Sequence, residues 1–331
     1  MTTLKAHHIP VVDIAPFFQE GGAGKAAVAA AVQDACESLG FLVIAGHGVP
    51  EEKIQTLYDQ ALSFFDLPLE EKSRVRKPPG TAYKGYGAMG VKTVGKDINP
   101  KLKPSLHESF AIGPLDYTDD PYFTCEAAGN NFTPNMWPAR PEGLRPAMTA
   151  YYREMERLAR GILDIFAHIL DVPPAYFASK VDKHNSILRT IHYPGLDRVP
   201  APGEERSGAH TDTTAITILR VDDAPGGLQV LLPDGGWLDV PKIPGTFIVN
   251  IGDIMMRWTN DRFVSTMHRV VNPPDGLGAA ARRLSIPFFF MPNYDALVEC
   301  IPSCAGSGAK YPPIESGKLL STRYAVTYSV N

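Results

Sequence analysis

His210, Thr211 and Asp212 sit in the run Ser-Gly-Ala-His-Thr-Asp-Thr-Thr-Ala-Ile-Thr-Ile-Leu. Thr and Ile dominate it, which favours a strand over a helix. Residues two apart on a strand point to the same side. The spacing therefore predicts that His210 and Asp212 face one point, with Thr211 turned away. One imidazole nitrogen and one carboxylate oxygen suit a divalent first-row metal. His268, in the β-prone run Phe-Val-Ser-Thr-Met-His-Arg-Val-Val, is the best third donor. Two histidines and one carboxylate on one side leave the opposite positions open, the pattern of a non-haem Fe(II) site that activates oxygen. Arg283 and Ser285 open a further strand, Leu-Ser-Ile-Pro-Phe-Phe-Phe, and share a face of it. A guanidinium beside a hydroxyl makes a fork for a carboxylate. An arginine at the head of so apolar a strand either finds a partner or exits to solvent, because an unpaired buried charge is costly.

In this order, His-X-Asp, His-Arg-Val and Arg-X-Ser-X-Pro-Phe-Phe resemble the isopenicillin N synthase-like group of 2-oxoglutarate/Fe(II)-dependent dioxygenases. Ile9-Pro10-Val11-Val12-Asp13 looks like the family's opening strand. Gly40-Phe41 through Gly46-His47-Gly48-Val49 looks like its Gly-Phe to Asn-His-Gly-Val signature, with Gly46 in place of the usual Asn. His192-Tyr193-Pro194 resembles its Tyr-Tyr-Pro segment. Gly252-Asp253 and Ser265 to Val270 match the strand pair around the distal histidine. The resemblance covers nearly the whole chain and says little about substrate. It implies a mainly β fold with flanking helices around a double-stranded β-helix, or jelly-roll, core.

Bulk composition is compatible with that expectation. The chain has 331 residues, 44% of them hydrophobic, enough for a substantial core. One compact unit over 1–331 is expected, with an N-terminal region of helices and first strands at 8–125 and the jelly-roll core at 183–293. Net charge is −4 and no Lys/Arg cluster stands out, so nucleic acid and anionic membrane are not expected partners. No stretch approaches the ~18 uninterrupted apolar residues of a membrane span. The N-terminus lacks an apolar signal core, and His7 and His8 read as solvated tail residues. Cys36, Cys125, Cys300 and Cys304 show no metal-ligand spacing and read as reduced cytosolic thiols, which predicts a cytoplasmic protein. Oligomeric state is not legible.

The elements that must position these residues follow from periodicity. Strands are expected at Ile9–Ile14, Phe41–Ala45, Glu108–Ile112 and Ser186–Tyr193. Helices are expected at Gly24–Leu39 with Gly40 as its stop, at Glu51–Phe65 after Pro50, at Leu69–Val75, and at Leu144–Leu170 with a stripe from Met148 to Ile169. His168 reads as a packed or capping residue and His47 as a turn histidine. Beyond the metal run come short strands at Gly227–Leu232, Trp237–Val240, Thr246–Asn250, Met255–Trp258, Phe263–Val271 and Leu284–Met291, the even spacing of a jelly roll or barrel. Residues 115–140 and 301–317 read as loop and Leu319–Ala325 as a helix. Residues 77–106 read as a flexible segment beside the active-site mouth. Gly85-Tyr86-Gly87-Ala88-Met89-Gly90 in it fits a dinucleotide string, but neither a core strand before it nor a helix start after it is legible. Gly21 to Lys25 fails as a phosphate loop, because Ala26 stands where Ser or Thr must be.

If His210, Asp212 and His268 hold Fe(II), the resemblance implies the rest of the chemistry. The co-substrate 2-oxoglutarate chelates iron, its far carboxylate pairs with Arg283, Ser285 and Tyr193, and O2 takes the remaining position. Succinate and CO2 are released and a C–H bond of a small-molecule substrate is oxidised, by hydroxylation, desaturation or ring closure. If Tyr193 faces the cavity, Ile191 and Arg189 face it too, by the two-residue period. Family members often carry Asn at the Ile191 position. Arg189 would then meet a carboxylate of a small or medium acid-bearing metabolite, and Phe289, on the face of Arg283 and Ser285, would wall the pocket. Other readings stay open: an oxidase that needs no 2-oxoglutarate, where the Arg-X-Ser pair grips the substrate; an ethylene-forming enzyme; and a zinc hydrolase or a metal-binding jelly roll without oxygen chemistry. An interaction module would not need Arg283 and Ser285 beside three ligands.

Overall fold

The computed structural model describes residues 8–22, 24–76, 84–129, 131–196 and 198–328. His7, Ala23 of the glycine-rich string and the 77–83 part of the expected mobile segment lie outside these residues. Strand β1 (Val11–Asp13) leads to helix α1 (Lys25–Ser38) and strand β2 (Phe41–Ala45). Helices α2 (Glu51–Phe65) and α3 (Leu69–Ser73) precede β3 (Gly85–Gly87) and β4 (Glu108–Ile112). Helices α4 (Pro121–Thr124), α5 (Leu144–Ile169) and α6 (Ala175–Ala178) separate β4 from β5 (Ile187–Tyr193). Five strands follow: β6 (Ser207–His210), β7 (Ile216–Val221), β8 (Gly227–Leu231), β9 (Trp237–Asp239) and β10 (Phe247–Ile251). Helix α7 (Asp253–Trp258), β11 (His268–Val271) and β12 (Arg283–Phe290) come next, then β13 (Leu297–Val298), β14 (Ile314–Glu315) and α8 (Ser316–Tyr328).

Eight strands form one sheet in the order β1-β2-β10-β7-β12-β5-β4-β3, and four form a second in the order β6-β11-β8-β9. Two apolar layers result. Phe41, Val43 and Ile248 of the large sheet meet Leu228, Val230 and Val270 of the small one. On the large sheet's other face, Leu42, Ile44, Val249, Leu188 and Phe288 pack with Val32 of α1, Leu57 of α2 and Met155 and Leu158 of α5. β2 reads as an unbroken apolar run because both of its faces are covered. Helix α5 carries the expected stripe, buried at Met148, Tyr152, Met155, Leu158, Ile162, Ile165 and Phe166. Each such side chain contributes about 1.5–3 kcal/mol by leaving water. Gly40 does stop α1: it has φ +66°, its N–H donates to Ala35 O at 2.8 Å, and a Cβ there would lie 1.9 Å from Val264 O.

Several expectations needed correction. Met255–Trp258 is not a strand but part of α7; buried Ile254, Met255 and Trp258 lie on one helical face, and a short apolar run does not declare its period. Of Phe263–Val271, only His268–Val271 is strand. Residues before it direct their hydrogen bonds elsewhere: Phe263 N–H to Thr259 Oγ1, Val264 N–H to Cys36 O, and the Thr266 hydroxyl to Leu39 O. The run around His210 is also broken. β6 ends at His210 in the small sheet, β7 begins at Ile216 in the large one, and 211–215 cross between them. Gly85-Tyr86-Gly87 forms edge strand β3, paired with β4, and no helix lies between it and β4, so the string is no phosphate cradle. The 115–140 loop contains α4, and α8 starts at Ser316, ahead of the expected Leu319. No helix among the described residues is long and apolar enough to cross a membrane.

Candidate active site

His268 on β11 pairs directly with His210 on β6, which sets their rings 4.4 Å apart, centroid to centroid. Asp212 lies two residues past the end of β6, in the crossing segment. Its Oδ1 stands 3.8 Å from His210 Nε2 and 3.7 Å from His268 Nε2. One donor atom from each residue falls within 4.8 Å of the others, a spacing at which one metal ion fits. The convergence was expected, but its cause is a strand pair plus a turn. Thr211 borders the same cavity, and its hydroxyl lies 3.4 Å from Asp253 Oδ2.

Hydrogen bonds around the three residues prepare them as ligands. His210 Nδ1 meets Gly208 O at 2.8 Å and His268 Nδ1 meets Thr266 O at 3.1 Å. A carbonyl only accepts, so each Nδ1 carries the proton and each Nε2 keeps its lone pair for a metal. Asp212 Oδ2 accepts from the Thr217 hydroxyl at 2.7 Å and from Asn250 Nδ2 at 2.9 Å. Oδ1 is left to face the imidazoles. Burial and the neighbouring His268 pull His210 down to about 4, so it is neutral and ready to ligate near pH 7. Burial alone would raise the Asp212 carboxyl, but His268, His210, Asn250 and Thr217 outweigh it and hold it below its ordinary value.

Arg283, Ser285 and Phe289 of β12 lie beside Tyr193, Ile191 and Ile187 of β5. Arg283 is 2% exposed. Its Nε and Nη1 are buried without a hydrogen-bond partner among the described residues; Asp222 Oδ1 is 4.0 Å from Nε. Tyr193's ring lies 4.9 Å from that guanidinium and 5.5 Å from a second buried one, Arg206. Nothing in the sequence singled out Arg206. Its guanidinium donates to Pro225 O and Ala281 O, and burial together with Arg283 lowers it to about 10. His107, also missed, is brought down to about 4 by burial, and its Nδ1 meets Arg206 O at 2.8 Å.

A cavity of about 220 Å³ opens beside His210 and Asp212. Arg189, Ile191, Tyr193 and Phe289 all line it, as the two-residue period requires. The 77–106 stretch reaches it too, through Lys84, Lys92 and Ile98. Arg189's guanidinium sits 5.5 Å from the Phe289 ring. His47 is no ligand: its Nε2 meets Gly245 O at 3.0 Å and its Nδ1 accepts from Val49 N–H. The volume is below the ~300–1,000 Å³ of pockets for drug-sized ligands, so the cavity suits a small molecule.

Comparison with known proteins agrees with this geometry. Residues 9–140 match the model of the non-haem dioxygenase N-terminal region named for morphine synthesis, and residues 184–292 match that of the 2OG-Fe(II) oxygenase superfamily. A 2-oxoglutarate-Fe(II) type oxidoreductase of Emericella nidulans is 36% identical over 326 residues, covering 96% of this chain and 90% of its own. A homoarginine-6-hydroxylase of Oryza sativa subsp. japonica is 31% identical over 331 residues, covering 94% and 95%. The crystal structure of Neurospora crassa T7H with alpha-KG and thymine superposes with a TM-score of 0.84 at 32% identity, covering 97% of each chain. With three convergent candidate metal donors, and a fold shared with the Neurospora protein across nearly its full length, this chain belongs to the 2OG-Fe(II) oxygenase superfamily and is a 2-oxoglutarate/Fe(II)-dependent dioxygenase.

Proposed function

We propose that His210, Asp212 and His268 hold the iron, that Arg283 with Ser285 and Tyr193 takes the far carboxylate of 2-oxoglutarate, and that the enzyme oxidises a C–H bond of a small acid-bearing metabolite. The observation that carries the co-substrate assignment is the Arg283 guanidinium, buried with Nε and Nη1 making no hydrogen bond among the described residues. A carboxylate is the group that satisfies such a fork. Iron and 2-oxoglutarate, when bound, supply the oxygen activation, with succinate and CO2 as by-products.

The chain's own residues do the positioning. The two Nε2 lone pairs and Asp212 Oδ1 converge from one side, and Thr217 and Asn250 keep Asp212 from turning. Apolar Ile191, Leu219 and Val221 lie in the layer between the sheets that includes Tyr193, and they limit water around it. Away from Asp212, Lys84, Lys92 and Arg189 outnumber the one carboxylate Asp97 among the lining residues, which favours an anionic substrate, while Ile191 and Phe289 hold its apolar part. Hydroxylation is the reaction we favour, since the rice relative is named a hydroxylase and the Neurospora protein binds a small ring. The test is a screen of small carboxylic acids for succinate production with Fe(II), 2-oxoglutarate and O2. A panel in which neutral analogues stimulate succinate release as well as acids do would refute the acid-bearing substrate.

A further inference from the structure

The cavity runs past Arg189 to a polar end that neither the metal nor the co-substrate uses. Lys84, Asn131 and Asn185 line it. Lys84 is 3% exposed. Its ammonium donates to Thr133 O and lies 5.8 Å from the Tyr117 ring, and among the described residues no carboxylate pairs with it. Burial pulls this ammonium down to about 8, the mark of a cation short of counter-charge. The lysine stem runs over Gly113, where a Cβ would stand 2.3 Å from Lys84 Cε, so a side chain there would dislodge it. Asn185 is 4% exposed. Its Nδ2 donates to Asn131 Oδ1 at 2.9 Å, and its Oδ1 is buried with no hydrogen-bond partner among the described residues. A buried carbonyl without a donor is costly, so this wall offers one unmet acceptor near one under-neutralised cation.

Strand order sets this end apart from the metal. Thr217, which bonds Asp212, lies on β7; Phe289 is beside it on β12, and Ile187 beside Phe289 on β5. β4 and then β3 follow, with Lys84 just before β3. Four strand spacings of ~4.8 Å separate Lys84 from Thr217, roughly 19 Å along the sheet before side chains reach inward, and two, roughly 10 Å, separate Asn185, just before β5, from it.

We infer that Lys84 and Asn185 form the head-group subsite for the substrate, taking a carboxylate or other oxyanion at Lys84 and an adjacent N–H or O–H donor at Asn185 Oδ1. Oxidation then falls on a carbon several bonds away from that head. The inference rests on the reading of the cavity as the site of an acid-bearing metabolite and adds which groups select it.

Binding of head-group probes tests it without turnover. Wild-type enzyme, loaded anaerobically with Fe(II) and 2-oxoglutarate, is titrated calorimetrically with pyrrole-2-carboxylate, furan-2-carboxylate and pyrrole-2-carboxamide. The first carries both features, the second lacks the N–H donor, and the third lacks the charge. Pyrrole-2-carboxylate is expected to bind about tenfold or more tighter than either, the effect of one buried hydrogen bond or ion pair. Lys84→Met should bring the carboxylate down to the carboxamide's level, and Asn185→Leu should erase the gap between pyrrole and furan. Equal binding of the three probes by the wild type, no binding up to about 10 mM, or unchanged gaps in the variants overturns the subsite. The wild-type series stands even if a variant does not fold. Loss of the visible band of the Fe(II)·2-oxoglutarate chelate would count against the metal-site reading and leaves the probe preferences to be judged separately.

Discussion

Replacing Arg283 by Met separates the co-substrate assignment from a structural one. This guanidinium is 2% exposed, its Nε and Nη1 make no hydrogen bond among the described residues, and Asp222 Oδ1 is 4.0 Å from Nε. Asp222 Oδ2 accepts from Leu284 N–H at 2.6 Å and the Tyr58 hydroxyl at 3.2 Å, and the Oδ1 nearer Arg283 accepts from Ala224 N–H at 3.3 Å. Breaking a buried pair by removing one partner costs about 3–5 kcal/mol. At 1.4 kcal/mol per tenfold, that is about two to three and a half orders of magnitude in 2-oxoglutarate affinity. Two measurements read it. Succinate formation against 2-oxoglutarate concentration should show the requirement rising by that factor. Thermal unfolding should show the ligand's effect disappearing: 2-oxoglutarate at a hundred times its Kd stabilises the wild type by about 2.7 kcal/mol, and at that same concentration should leave Arg283→Met almost unshifted. A purely structural arginine predicts the opposite pattern, a less stable apoprotein with an unaltered 2-oxoglutarate requirement. That pattern would refute the assignment. Arg283→Lys keeps the charge but loses the two-pronged geometry, and should fall between the two.

Further consequences concern the metal, the fold and pH. Thr217→Val removes the 2.7 Å hydrogen bond to Asp212 Oδ2 and should weaken Fe(II) binding about 10- to 100-fold by equilibrium titration, with the fold intact by circular dichroism. Gly40→Ala puts a Cβ 1.9 Å from Val264 O at φ +66°, so the unfolding free energy should fall by more than about 1 kcal/mol in urea titration. Burial alone would raise the buried Glu108 carboxyl, but hydrogen bonds from His192, Lys72 and Tyr86 more than offset this and place it below its ordinary 4.5. Its folded pKa being the lower one, the unfolded chain binds the extra proton. Glu108 therefore stabilises the fold above about pH 4.5, and that contribution is lost as pH falls through its folded value. Glu108→Gln should lower stability at pH 7 and flatten the acid limb of the stability curve. An unchanged acid limb would remove Glu108 from that account.

Local chemistry is what the sequence by itself determined here. His210, Asp212 and His268 were legible as a candidate ligand set because a metal constrains donor type, and Ile191, Arg189 and Phe289 as cavity wall because a strand alternates sides. Helices α1, α2 and α5 were legible because each buries one stripe at helical spacing. Tertiary structure alone decided the rest. Asp212 reaches the histidines through a crossing between two sheets, a path with no local pattern. Met255 and Trp258 became helix because a short apolar run fits either period until its neighbours choose. Arg206, Lys84 and Asn185 are ordinary polar residues in sequence. Their significance lies in burial with too few partners, and a deficit of partners exists only once the chain around them has folded.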